Sequence, residues 1–276
     1  LIQRKILMPK NRLDQYLLQN NICTSREKAK NLIIAGYVTV NNQVVYKPSF
    51  IVKENDVITV RELSQKFVSR GGEKLKKALD CFNIDVTGKI VLDLGSSTGG
   101  FVDCLLQYGA EKVYAVDVGY GQLDYNLRIN PKVIAMERRN ARYLTKEDFK
   151  EHINLITADL SFISIIKVMQ TMITIFDYEI DVILLIKPQF EAESFQHKKG
   201  VVKLPQFHKD ILLRVLQELQ TMNIKILGLT YSPIKGPKGN IEFLLYSAIH
   251  CNTRKSIDDY KALIDLCVDE AHKSLK

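Results

Sequence analysis

Lys89-Ile90-Val91-Leu92-Asp93-Leu94-Gly95-Ser96-Ser97-Thr98-Gly99-Gly100-Phe101 joins an apolar run to a glycine-rich turn, and the fold is read outward from that junction. The run predicts a buried strand. The glycines let the backbone turn without a Cβ clash and let a ligand and the following helix approach closely. A second apolar run, Lys112-Val113-Tyr114-Ala115-Val116, ends in Asp117, 22 residues beyond Gly95. That is about where a dinucleotide-type fold sets the carboxylate that accepts ribose hydroxyls, so an adenosine-bearing cofactor is expected.

The spacing is Gly-x-x-x-Gly-Gly and not Gly-x-Gly-x-x-Gly, so the turn lacks the pattern that seats a pyrophosphate on a helix N-terminus. This argues against NAD. With the Asp93 carboxylate at the strand end, the wider loop suits S-adenosylmethionine, whose amino and sulfonium groups are both cationic. The expected cofactor contacts are Asp93, Gly95, Ser96, Gly99, Gly100 and Asp117, with Asn140 and Arg142 near the adenine.

Further along, strands are expected near 89–94, 112–117, 132–136, 154–158, 181–187, 224–231 and 241–248, with helices between and an amphipathic helix from Ile257 to Leu275. Alternation of this kind predicts an α/β, Rossmann-like domain with a seven-stranded, mostly parallel sheet covered on both faces, in which the last strand pair is antiparallel.

The 276 residues carry a formal net charge of +8, with 46% hydrophobic and 25% charged residues. Such a chain buries a full core, and its positive excess fits a polyanionic partner. Five scattered cysteines without Cys-x-x-Cys spacing argue against a disulfide framework or a zinc site. The apolar runs are too short to cross a bilayer and no secretory pattern opens the sequence, so a cytoplasmic setting is expected.

Residues 1–62 hold ten Lys and Arg against five Asp and Glu, which is +5 of the total +8. They read as a small α+β module. A short helix is expected over 11–20 with Leu13, Tyr16, Leu17 and Leu18 on its apolar side, and a second opens on a Thr24/Glu27 capping box and stops at Gly36. A hairpin at 37–46 and a strand at 56–60 complete it. On the second helix Arg26 and Lys30 share one face, while Ala29, Ile33 and Ile34 are expected to turn inward. The polar stretch Arg61 to Lys66 breaks the pattern, which sets the expected domains at 1–62 and 67–276 with 63–66 as the linker.

Four polar residues stand in distinct settings: Lys74 after Ser69-Arg70-Gly71-Gly72-Glu73, Asp159 at the end of the fourth strand, Lys187 at the end of the fifth, and Glu242 in Gly239-Asn240-Ile241-Glu242-Phe243. Carboxyl ends of strands line the ligand crevice of an open α/β sheet, so Asp159 and Lys187 should face the cleft of the glycine loop. A lysine following five apolar residues is expected to be desolvated, fitting it to act as a base or to hold a developing alkoxide, with Asp159 and Glu242 orienting it.

These blocks resemble the FtsJ-like ribose 2′-O-methyltransferases, whose Lys-Asp-Lys-Glu tetrad falls on Lys74, Asp159, Lys187 and Glu242. The order Arg-Leu-Asp-x-Tyr-Leu, Thr-Ser-Arg-x-x-Ala and Ile-x-x-Gly-x-Val-x-Val-Asn in the first sixty residues resembles the RNA-binding module named for ribosomal protein S-four. End to end, the chain resembles the TlyA/hemolysin A family. The resemblance implies methyl transfer from S-adenosylmethionine to the 2′-hydroxyl of a cytidine in ribosomal RNA, with ribosomal RNA or ribosomal subunits as partner and no metal. RNA contacts are expected from Arg12, Arg26, Lys28, Lys30 and Arg70, extended by Arg138, Arg139, Lys198, Lys199 and Lys203. The loops at 191–204 and 233–239 are expected to be flexible and to lie on the substrate side. The rival readings are a ribosome-binding assembly factor without catalysis, a membrane-active hemolysin and a small-molecule methyltransferase.

Overall fold

The computed structural model describes residues 12–60 apart from 21, 24, 35, 42 and 54, and residues 67–275 apart from 198 and 258. The chain forms two compact units, 1–65 and 66–276.

In the first unit, helices α1 (Leu13–Gln19) and α2 (Arg26–Ile34) pack on strands β1 (Val38–Val40), β2 (Gln43–Val44) and β3 (Ile58–Val60), ordered β2-β1-β3 and antiparallel. Leu13, Leu17, Ala29, Ile33, Val38 and Val40 form its core, as their spacing predicts. Ile34 departs from expectation: it is exposed, because Ala29 and Ile33 already fill the inward stripe. Ser25 Oγ accepts the Lys28 N–H at 3.1 Å and caps α2, whereas Thr24 and the expected linker lie outside the described residues. Gly36, at φ +78°, takes the left-handed turn after the helix.

The second unit begins with α3 (Gly71–Phe82), β4 (Ile90–Leu94), α4 (Gly100–Gln107), β5 (Lys112–Asp117), α5 (Tyr125–Arg128) and β6 (Val133–Glu137). It continues through β7 (Leu155–Ala158), α6 (Ile165–Ile175), β8 (Ile180–Ile186), α7 (Pro188–Glu191), α8 (Pro205–Thr221), β9 (Lys225–Tyr231), β10 (Phe243–Ile249) and α9 (Tyr260–Ser274). The sheet order is β6-β5-β4-β7-β8-β10-β9; β10 runs antiparallel to both neighbours, and every other pairing is parallel. Apolar clusters cover both faces, which is why the central strands read as unbroken hydrophobic runs.

This topology sets the site. Strand β4 lies at the centre, with β5 on one side and β7 on the other, so the carboxyl ends of β4, β5, β7 and β8 share one edge. Because β10 is antiparallel, Phe243 pairs with Ile186 and the start of β10 meets the end of β8 at that same edge.

Candidate functional site

The glycine loop is tied down by backbone. Gly95 and Ser96 both donate N–H to Val116 O, at 2.8 and 3.1 Å, and Gly95 adopts φ +84°. A Cβ on Gly95 would lie 2.6 Å from Asp159 O, so this glycine permits the loop to rest on the end of β7. The Gly99-Gly100 pair permits close packing of the following helix. A Cβ on Gly99 would meet Leu127 Cδ1 at 2.3 Å, and one on Gly100 would meet Ser69 Oγ at 2.3 Å and Gly72 N at 2.9 Å. These two glycines therefore bring α4 against α5 and the start of α3.

Two cavities open along the strand-end edge and share Gly95, Ser97, Asp159, Ser161, Phe162, Gln189 and Phe190. The first, of about 1020 Å³, is lined by Asp117, Arg139, Asn140 and Arg142 among others. The second, of about 670 Å³, is lined by Arg70, Lys74, Ser96, Gly100, Lys187 and Glu242 among others. Most of the expected cofactor residues thus fall on two adjoining lobes.

Asp93 does not line either lobe. Its side chain is buried beneath the loop, where Thr157 Oγ1 donates to Oδ1 at 2.6 Å and Oδ2 has no partner. Burial pushes its carboxyl up to about 7, against the Thr157 hydrogen bond and with repulsion from Asp159 and Asp117 added. The Asp93 side chain is thus held by Thr157 behind the cavity walls. Asp117 accepts the Ser97 N–H at 2.8 Å and the Gly119 N–H at 2.7 Å, so it braces the loop while lining the first lobe. Asn140 accepts the Arg142 N–H at 3.0 Å and fixes the turn that carries both residues to the wall.

The four tetrad residues come together from four elements. Asp159 directly follows β7, Lys187 directly follows β8, Glu242 directly precedes β10, and Lys74 lies in the first turn of α3. Lys74 Nζ donates to Glu242 Oε2 at 2.6 Å and stands 3.9 Å from Asp159 Oδ2; Lys187 Nζ stands 2.6 Å from Asp159 Oδ1. Charges alternate along this row, so no buried charge is left alone. The apolar run of β8 delivers Lys187 to the edge, where Asp159 meets it.

Sequence reasoning missed three neighbours. Ser161 accepts a hydrogen bond from Lys187 Nζ at 2.8 Å. Phe162, at φ +64° and 91% exposed, stands where the lobes join with its ring centroid 5.0 Å from that of Phe190. Asn240, nearly buried, accepts the Val202 N–H at 3.0 Å and donates to Gly200 O at 2.9 Å, clasping together the two loops expected to be flexible. The Thr157-Ala158-Asp159-Leu160-Ser161-Phe162 block contains two of the three, but nothing in its pattern distinguishes them from a polar strand-end turn.

The expected RNA contacts divide into two groups. Arg12 Nε and Arg26 Nε donate to the buried Asp14, at 3.0 and 3.1 Å, so both support the first unit's fold. Hydrogen bonds from Arg12 and then Arg26 hold the Asp14 carboxyl below its usual range. Lys28 and Lys30 are exposed on α2. In the second unit Arg70 lines the second lobe, Arg138 stacks its guanidinium 4.2 Å from the Tyr120 ring centroid, and Arg139 pairs with Asp148. Lys199 and Lys203 are exposed, and Lys198 lies outside the described residues.

Sheet order, glycine loop and tetrad together define a methyltransferase of Rossmann-like architecture. Residues 67–248 match the FtsJ-like methyltransferase family and residues 11–58 match the S4 domain. YqxC of Bacillus subtilis, described as a candidate rRNA methyltransferase, is 42% identical over 97% of this chain and 96% of its own. The 16S/23S rRNA (cytidine-2′-O)-methyltransferase TlyA of Mycobacterium tuberculosis is 40% identical over 85% of this chain and 88% of its own. A solved structure from Streptococcus thermophilus, described as a candidate hemolysin, superposes with a TM-score of 0.76 at 37% identity, covering 97% of each chain. The chain belongs to the TlyA/hemolysin A family of FtsJ-like methyltransferases. Among the described residues no helix is long and apolar enough to cross a membrane, and no cluster of His, Cys, Asp and Glu fit to hold a metal ion occurs.

Proposed function

We propose that the chain transfers a methyl group from S-adenosylmethionine to the 2′-hydroxyl of a cytidine in ribosomal RNA of the small subunit, the large subunit or both. The observation that carries this reading is the Lys187–Asp159–Lys74–Glu242 row at the strand-end edge, where the two lobes meet. The TlyA relative named for cytidine 2′-O-methylation supports the substrate, and the S4 match supports an RNA partner. We divide the chain at residues 62 and 67, and take its working partner to be ribosomal RNA or a ribosomal subunit in the cytoplasm.

The first lobe fits the cofactor: Asp117 offers carboxylate oxygens, Asn140 and Arg142 frame its far wall, and Gly95 and Ser97 form the floor toward the second lobe. When bound, S-adenosylmethionine supplies a methyl group on a cationic sulfur. In the second lobe Lys187 meets the ribose oxygen and stabilises the negative charge that grows on it. The hydroxyl proton passes to water as the ribose oxygen takes the methyl carbon and the sulfur–carbon bond breaks, with the Lys187 ammonium remaining charged beside Asp159. Asp159 orients Lys187, and Lys74 with Glu242 positions Asp159. Alignment of the oxygen with the methyl carbon is the larger part of the acceleration.

The test is mass-spectrometric mapping of ribose methylation on each purified rRNA, naked and in subunits, after incubation with protein and cofactor. A new 2′-O-methylcytidine is expected with the wild type and none with Lys187→Ala. A methyl group placed on a base, or none on any RNA while cofactor binds, contradicts the reading.

A further inference from the structure

We propose that Ser161 is a positioning residue that sets the rotation of the Lys187 amine, so that one direction of its tetrahedral nitrogen is left for the ribose oxygen. The inference rests on the methyl-transfer reading and adds to it a residue outside the tetrad.

Two polar groups meet Lys187 Nζ and differ in kind, while the Phe190 ring centroid stands farther off at 5.8 Å. Asp159 Oδ1 is 2.6 Å away and forms an ion pair whose geometry lies off the ordinary hydrogen-bonding axis. Ser161 Oγ is 2.8 Å away and accepts a directed hydrogen bond. An ion pair depends mainly on distance, whereas a hydrogen bond weakens steeply off its axis. Asp159 therefore draws the amine to its place by charge, and Ser161 adds a directed contact that fixes its rotation. A lysine head is otherwise a rotor on a flexible four-carbon stem, free to present any N–H to any acceptor.

The local structure explains why Ser161 can do this. Asp159 N donates to Leu94 O at 3.0 Å, which pins the end of β7 beside β4, and Phe162 turns the chain at φ +64° one residue after Ser161. Ser161 thus sits on a sharp turn between an anchored strand end and α6, whose own N-terminus is capped by Ser164. Lys187 is held equally firmly, between the last residue of β8 and Pro188 at the start of α7. Ser161 lines both lobes, and Lys187 lines the second.

The experiment compares wild type, Ser161→Ala and Ser161→Thr in steady-state methyl transfer to ribosomal RNA, with lysine side-chain nitrogen NMR on the same proteins. Ser161→Ala is expected to lower kcat about tenfold while the KM values for cofactor and RNA stay within about twofold, because alignment and not binding is lost. Ser161→Thr keeps the hydroxyl and is expected to restore most of kcat. The Lys187 ammonium signal, sharp in the wild type, is expected to broaden in Ser161→Ala and return in Ser161→Thr. Wild-type kcat in Ser161→Ala, equal losses in Ala and Thr variants, or a loss carried by KM overturns the proposal. A wild-type protein inactive on every ribosomal RNA overturns the substrate reading instead, and the NMR comparison then decides the role of Ser161 alone.

Discussion

Lys74 and Glu242 form the most deeply buried ion pair of the site, 2.6 Å apart with the Glu242 side chain 1% exposed, although 168 residues separate them in sequence. The pair joins the first turn of α3 to the start of β10, so the same contact that completes the tetrad also closes one end of the sheet. Stability and activity should therefore fall together when it is broken.

Glu242→Gln leaves the Lys74 ammonium with its only carboxylate, Asp159, at 3.9 Å. Removing one partner of a buried pair costs about 3 kcal/mol or more, whereas removing both charges costs far less. Urea unfolding should show that loss in Glu242→Gln and recover much of it in Lys74→Met with Glu242→Gln. Both proteins should be inactive in methyl transfer, which separates the folding role from the chemical one.

Stability should also depend on pH through Asp93. Between about pH 4 and pH 7 the folded chain holds a proton on this carboxyl that the unfolded chain has released, so stability falls as pH rises through that window and levels off above it. The full effect is on the order of 4 kcal/mol, from a shift of roughly three pH units. Melting temperatures across the window should show this decline in the wild type and its absence in Asp93→Asn.

Gly95→Ala tests the seat of the loop. The new methyl group would need a φ that L-residues adopt at a cost of about 1–2 kcal/mol, and it would press on Asp159 O. Loss of cofactor affinity by calorimetry, together with a lowered melting temperature, is the expected outcome.

Phe162→Ala should leave stability within about 0.5 kcal/mol of wild type, since the ring is 91% exposed. An exposed ring at the join of the lobes offers a face on which an unstacked base can rest, an interaction of about 1–3 kcal/mol. RNA affinity, measured by filter binding, should therefore drop about tenfold or more while cofactor affinity holds.

On the first unit, exposed Lys28 and Lys30 should act through charge alone, so Lys28→Ala with Lys30→Ala should weaken RNA binding and reduce the slope of log K against log salt by about 2. Arg26→Ala should differ by also lowering stability, because the buried Asp14 would lose a partner.

What the sequence disclosed was whatever depends on local pattern. Strand ends at Asp159 and Lys187 were legible because a sheet covered on both faces needs continuous apolar runs, and the run stops where the edge opens. Lys74 and Glu242 were legible from their blocks, but that they touch is a consequence of β10 running antiparallel beside β8. Which neighbours crowd Gly99 and Gly100 is not legible, because a missing Cβ does not say what lies beside it; here it is Leu127 and the start of α3. The burial of Asp93 is not legible, since a strand position fixes the face of the sheet only in three dimensions. Ser161 and Phe162 were illegible for the same reason: the left-handed turn at Phe162, which aims both, has no signature in a non-glycine residue.

The most direct test of the whole account is the single-turnover rate of methyl transfer to ribosomal RNA by Lys187→Ala, with cofactor affinity measured on the same protein. The account predicts a rate at least 100-fold below wild type with cofactor affinity unchanged, in keeping with the loss of a group that stabilises charge only in the transition state. A rate within a few-fold of wild type would contradict it.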